Sequence, residues 1–170
     1  MQDSSRPIAY DIAFTAILAV GAFFLFNGRG PYTRAEVRDT LRLGLGFQQQ
    51  QELTADQTEP TIGMRLYRDP TQGWNLVVDT PGFRFLNDAE AAPSPMEGYG
   101  YLYVDGRQVA RMYTPWFHLP NLTDGEHVIT VALQSPSYAM YTHEEEPIAA
   151  SFIATLEGNT ATLVPMDAAS

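Results

Sequence analysis

"GYGYLYVDGRQVARMYTPWFHLP" occupies residues 98–120. Tyr99, Tyr101 and Tyr103 stand at alternate positions, with Gly100, Leu102 and Val104 among them. A strand sends successive side chains to opposite faces. The spacing therefore predicts a strand that turns Leu102 and Val104 into a core and carries a row of tyrosines on its other face. Asp105-Gly106 follows at once, a strong two-residue hairpin signal. "GRQVARMY" then reads as the returning strand.

Outward from this hairpin the pattern stays short and strand-like. "TIGMRLYR" (61–68) runs into the turn "DPTQG", and "WNLVVD" (74–79) into "TPG". "FRFL" (83–86) leads to an Ala/Pro/Ser stretch around Ala91–Pro95. "EHVITVAL" (126–133) alternates cleanly, and "PIAASFIATL" (147–156) and "NTATLVP" (159–165) follow. Seven or eight strands at this spacing predict an antiparallel β-sandwich over residues 60–170, Ig-like or cupredoxin-like. No internal repeat is visible.

Composition narrows the chemistry. The 170 residues include no cysteine, which removes disulfides, thiolate metal sites and Cys nucleophiles. Ten basic residues, all Arg, face twenty acids, for a net charge of −10. Such a chain lacks the basic surface that phosphate backbones require, so nucleic acid is not an expected partner. The charge is uneven: residues 61–170 carry five Arg and thirteen acids, and residues 1–60 carry five Arg and seven acids. A mildly charged front end precedes an acidic domain.

The front end reads as a membrane anchor in residues 1–30. From Ile8 to Asn27, "IAYDIAFTAILAVGAFFLFN" has Asp11 as its only charge. Twenty helical residues span about 30 Å, the thickness of a bilayer's hydrocarbon core. Phe23, Phe24, Leu25 and Phe26 stand where a signal peptide would place small residues before its cleavage site. A retained transmembrane helix over 8–27 is the expectation. Asp11 falls at headgroup level or faces a partner helix, since intramembrane acids are costly when unpaired. Ala13, Ala16, Ala19 and Ala22 recur every three residues and allow close helix–helix approach. The span has no His to ligate haem or chlorophyll. Arg6 alone precedes it, while Arg29, Arg34, Arg38 and Arg42 follow, a distribution that places the large domain in the cytoplasm by the positive-inside rule.

Residues 31–59 read as a connector. Thr33 and Glu36 form a capping box. Arg34, Arg38 and Arg42 are spaced by four, as are Val37, Leu41 and Leu45. This predicts a short amphipathic helix ending near Gly44 and Gly46. Its guanidiniums either reach lipid phosphates at the membrane surface or line a solvated linker helix. "QQQQELTADQTEP" reads as a polar spacer.

The run "GYGYLYVDGRQVARMYTPWFHLPNLTDGEHVITVAL", with "GWNLVVDTPGFRF" before it, resembles a poorly characterised group of small bacterial exported β-sandwich domains. Their pattern reads Gly-His-Ala-His-Leu-Tyr-Val-Asp-Gly, then Pro-Trp, His-Leu-Pro, Pro-Gly-Glu-His and a later Asn-Asp-His loop. The resemblance covers about residues 60–155. It implies a domain on the exported side, against the Arg count, and a metal site, with copper as the candidate ion, at the His-x-His and Asn-Asp-His positions. Here Tyr99 and Tyr101 stand in place of the His pair, and "QSPSYAM" (134–140) replaces the His-bearing loop. Tyr is a poor substitute for imidazole at copper. An aromatic contact strand is the expectation instead, because Tyr is enriched at interfaces. Trp116 and Phe117 are expected to extend that surface.

His118, His127 and His143 are weak metal candidates, and no cofactor is expected. No Ser/His/Asp set or paired carboxylates can be picked out, so no enzyme is expected. The chain reads as a single-span accessory subunit of a larger bacterial inner-membrane complex. Other integral-membrane subunits and the lipid bilayer are its partners, the β-domain is periplasmic, and photosynthetic or respiratory assemblies are candidate hosts. The alternative is a membrane-anchored copper-binding or copper-delivery domain, resting on the resemblance, the three His and the six Met.

Overall fold

The computed structural model describes residues 49–88, 94 and 96–166. The predicted span 8–27, with Asp11, Ala13, Ala16, Ala19 and Ala22, lies outside the described residues, as does the connector stretch carrying Arg34, Arg38 and Arg42. Among the described residues no helix is long and apolar enough to cross a membrane.

The described chain is β-rich. Its strands are β1 (Gln50–Glu52), β2 (Gly63–Arg68), β3 (Trp74–Asp79), β4 (Arg84–Phe85), β5 (Glu97–Val104) and β6 (Arg107–Met112). They continue with β7 (Trp116–Leu119), β8 (Gly125–Gln134), β9 (Met140–His143), β10 (Glu146–Pro147), β11 (Ala149–Glu157) and β12 (Thr160–Pro165). One sheet holds nine strands. Its path runs β1-β9-β8-β11-β12, with β5 on β8, β6 and β4 on β5, and β10 on β9. The other sheet is β2-β3-β7.

Alternation explains how the two sheets meet. In β3, Trp74, Leu76 and Val78 point inward and are buried. They share one core with Leu102 of β5, Ile129, Val131 and Leu133 of β8, and Phe152, Ala154 and Leu156 of β11. The result is a sandwich-like pair of sheets closed over a single apolar layer. Leu102 is fully buried and Val104 packs against the same core, as the alternation predicts. The hairpin also forms as predicted: β5 and β6 pair antiparallel around Asp105 and Gly106, whose φ values are 51° and 74°. Two positive φ values in succession are what a tight turn of matching twist demands. Gly100 sits among the tyrosines for a steric reason. A Cβ there would lie 3.1 Å from the Phe85 ring on the core side.

Two features depart from the sequence reading. The polar stretch read as a spacer contains β1, which pairs parallel with β9 through Gln50, Gln51 and Glu52. The Trp116–Leu119 segment does not extend the β5–β6 hairpin; it crosses to the smaller sheet and pairs with β3.

Candidate partner interface

The register assigns the tyrosines to one face. Tyr99 stands opposite Gln134, Tyr101 opposite Ala132 and Tyr103 opposite Thr130. On the other side of β5, Arg111 of β6 stands opposite Tyr101. This face turns away from the core, yet it is not an exposed row. Tyr101 and Tyr103 are buried and cluster with Ala132 and Met140. Burial, and then the neighbouring Tyr101, pushes the Tyr103 phenol up to about 12.

The face opens at Tyr99. The Tyr138 ring stacks on it at 5.3 Å, and the Tyr113 ring meets it edge-on at 5.0 Å. The Arg111 guanidinium lies 4.5 Å from the Tyr138 centroid, 5.2 Å from Tyr101 and 5.6 Å from Tyr99. Its Nη2 donates to the Tyr101 hydroxyl at 2.7 Å. An arginine over aromatic faces gains cation–π attraction, from roughly 0.5 to 2 kcal/mol as water is withdrawn. Desolvation, then the hydrogen bond with Tyr138, raises the Tyr99 phenol above its ordinary value. Tyr113 is 43% exposed and Tyr138 is 50% exposed.

Tyr138 is held in place by a tight loop. Its φ is +66°, in the left-handed region that bulky side chains avoid. Its amide donates to the Ser135 carbonyl, and the Ala139 amide donates to the Ser135 hydroxyl. Strain of this kind costs about 1–3 kcal/mol and persists only where surroundings enforce it. Arg111, Tyr113 and Tyr138 were not expected from the sequence. Neither Arg111 nor Tyr138 was readable from the pattern. Regular pairing across the turn would put Ala110 opposite Tyr101, and an irregularity between Leu102 and Tyr103 shifts the register by one to bring Arg111 there, while only the Ser135–Ala139 turn brings Tyr138 to Tyr99.

Trp116 and Phe117 do not join this surface. Trp116 is 58% exposed on the outer side of the smaller sheet, where the exposed Tyr67 of β2 also stands. Phe117, its neighbour in β7, packs against the core. The physical reason is the sheet switch at β7, which the sequence pattern does not signal.

The three histidines sit on separate elements, each in its own contact. The His118 Nδ1 lies 3.0 Å from Asn75 Oδ1, and the Asn75 amide donates to Asp69 Oδ2 at 2.9 Å. The Asn75 hydrogen bond, ahead of the amides of Thr71 and Gln72, holds the Asp69 carboxyl below its ordinary range. His127 uses both ring nitrogens, on Asp105 Oδ2 at 2.8 Å and on the Thr123 carbonyl at 3.0 Å. Asp105 also accepts the Val128 amide, so His127 and Asp105 together pin the hairpin turn to β8. His143 meets Glu59 at 2.9 Å, and that bond raises its imidazole above the ordinary value. Among the described residues no group of three His, Cys, Asp or Glu side chains is arranged to hold a metal ion. Comparison with protein-family models, curated proteins and solved structures finds no match to this chain.

Proposed function

We propose that this chain is a non-catalytic, single-span accessory subunit of a larger bacterial membrane complex. In this reading an Ig-like or cupredoxin-like domain sits on the periplasmic side of the inner membrane. The span 8–27 packs among the host's helices through its alanine stripe, and photosynthetic and respiratory assemblies are candidate hosts. The observation that carries the reading is the aromatic group around Arg111. Tyr113 and Tyr138 are left about half exposed, and Tyr138 is presented by a strained turn. Tyrosine and arginine are the residue types that dominate binding energies at the centres of interfaces. Backbone strain at an exposed aromatic points to recognition more than to stability.

The test is replacement of Tyr113 and Tyr138 together by Ser in the full chain. Each tyrosine, as a central anchor, contributes about 1–3 kcal/mol to binding. The double variant is expected to melt at the parent temperature and to lose the membrane subunits that co-purify with the parent in mild detergent. Full retention of those subunits by a folded double variant overturns the reading.

A further inference from the structure

The exposed aromatic side chains of the described residues fall into two pairs. Tyr113 and Tyr138 belong to the group around Arg111. Tyr67 and Trp116 stand on the outer face of the smaller sheet, each open to solvent. The register gives that face two rows: Arg65, Val77 and Trp116 form one, and Tyr67, Asn75 and His118 form the next. Single exposed apolar side chains are ordinary. Two rings on one face, with a few placed polar groups among them, have the composition of a binding site.

The second row contains a fixed hydrogen-bond relay. Asn75 Nδ2 donates to Asp69 Oδ2 at 2.9 Å, which turns Asn75 Oδ1 to His118 Nδ1 at 3.0 Å. Asp69 is itself set by the amides of Thr71 and Gln72, which donate to its Oδ1. An amide oxygen only accepts, so Nδ1 keeps the proton and the neutral ring carries its lone pair on Nε2. No described residue meets Nε2, and His118 is exposed. The face therefore holds an oriented acceptor, open to solvent, beside two aromatic rings.

We propose that this face binds a neutral, extended oligosaccharide, with Tyr67 and Trp116 stacked on sugar rings of one chain and His118 Nε2 accepting from a hydroxyl between them. A sugar ring joins an apolar C–H face to a rim of hydroxyls. The C–H face meets the negative face of an aromatic ring, and the rim supplies the donor that Nε2 lacks. Tyr67 and Trp116 are two strands and two residues apart, roughly 12 Å at 4.8 Å per strand and 3.4 Å per residue. That separation suits two contacts along a chain of sugars and is too wide for one ring. Charge agrees: Arg65 and Asp79 on the strands and Asp69 in the turn leave the face nearly balanced, so it selects neither a polyanion nor a polycation. The face lies on the smaller sheet and the Arg111 group on the larger, so the inference is independent of the accessory-subunit reading.

The chain has two tryptophans, and Trp74 is buried, so a ligand-induced change in tryptophan emission reports on Trp116. The test titrates the full chain, in a detergent without a sugar headgroup, with β-1,4-linked hexamers of glucose and of N-acetylglucosamine. At least one hexamer is expected to shift the emission to shorter wavelength and to saturate with a Kd below about 1 mM. Trp116→Ala and Tyr67→Ala are each expected to weaken binding about tenfold or more by calorimetry, and His118→Ala to weaken it several-fold. Both rings are exposed, so these variants should melt close to the parent. Tyr113→Ser with Tyr138→Ser should bind the hexamer as the parent does. No response to either hexamer up to about 10 mM, or binding unmoved by Trp116→Ala and Tyr67→Ala, overturns the proposal. So does a Trp116 already shielded from acrylamide quenching in the natively extracted chain, which assigns the face to a protein partner.

Discussion

Leu102→Ala probes the core where the two sheets close. Leu102 is fully buried on β5, opposite Val131 of β8 on one side and Ala110 of β6 on the other. The substitution removes three carbons. At about 0.8 kcal/mol per buried methylene, lost transfer energy alone is about 2.4 kcal/mol. The cavity adds about 24 cal/mol for each Å³ that fails to close. Strands hydrogen-bonded on both flanks and a second sheet overhead resist collapse, which places the total at about 3–5 kcal/mol. Denaturant titration of the full chain should show a lower midpoint at an unchanged slope, since the surface exposed on unfolding is the same. Val131→Ala in the same background should be non-additive, because the two side chains touch one space. A loss within about 0.5 kcal/mol, the range of an exposed substitution, would mean that Leu102 does not face the inter-sheet core, and the assignment of the tyrosines to the opposite face would go with it.

Gly73 has φ +79°, and a Cβ there would lie 2.3 Å from the Leu119 carbonyl oxygen. Gly73→Ala should therefore destabilise by at least about 1–3 kcal/mol; melting at the parent temperature would contradict that packing. The Tyr103 phenol, raised from 10 to about 12, favours the folded state fully below pH 10 and loses that contribution as pH rises towards 12. Ultraviolet titration of the parent against Tyr103→Phe should assign the late-ionising phenol to this residue, and ionisation of Tyr103 near pH 10 would mean a wet face. Glu52 is held below its ordinary value of 4.5, first by the Thr142 hydroxyl, with the Glu144 and Glu145 amides assisting and desolvation opposing. Its contribution is present above that value and lost as pH falls. Protection factors of the β1 amides should fall on acidification in the parent and show no such step in Glu52→Gln; identical pH profiles would contradict a stabilising role for the Glu52 carboxylate.

Much of the sandwich was legible because its strands alternate. The run 74–79 matches β3 residue for residue, and 126–133 falls one residue short of β8 at each end. The Asp-Gly turn identified the hairpin by its chemistry. β1 was not legible, because three exposed polar residues held by backbone pairing carry no hydrophobic period. The departure of Trp116 to the smaller sheet was equally hidden: alternation assigns faces within a strand but does not say which sheet a strand joins. The tyrosine row was read correctly as one face and incompletely as a surface. Pattern alone could not tell that Tyr101 and Tyr103 are dry while Tyr99 opens onto Tyr113 and Tyr138. The histidines read as ligand candidates by type, but their partners Asn75, Asp105 and Glu59 come from distant strands and loops.

The most direct test of the accessory-subunit account is the native mass of the chain extracted from its own membranes in mild detergent. The account predicts that it migrates in a stoichiometric assembly far larger than a single 170-residue chain. It also predicts that Tyr113→Ser with Tyr138→Ser shifts the chain to its free mass without unfolding it. A parent chain that migrates alone under conditions preserving other membrane complexes would contradict the account.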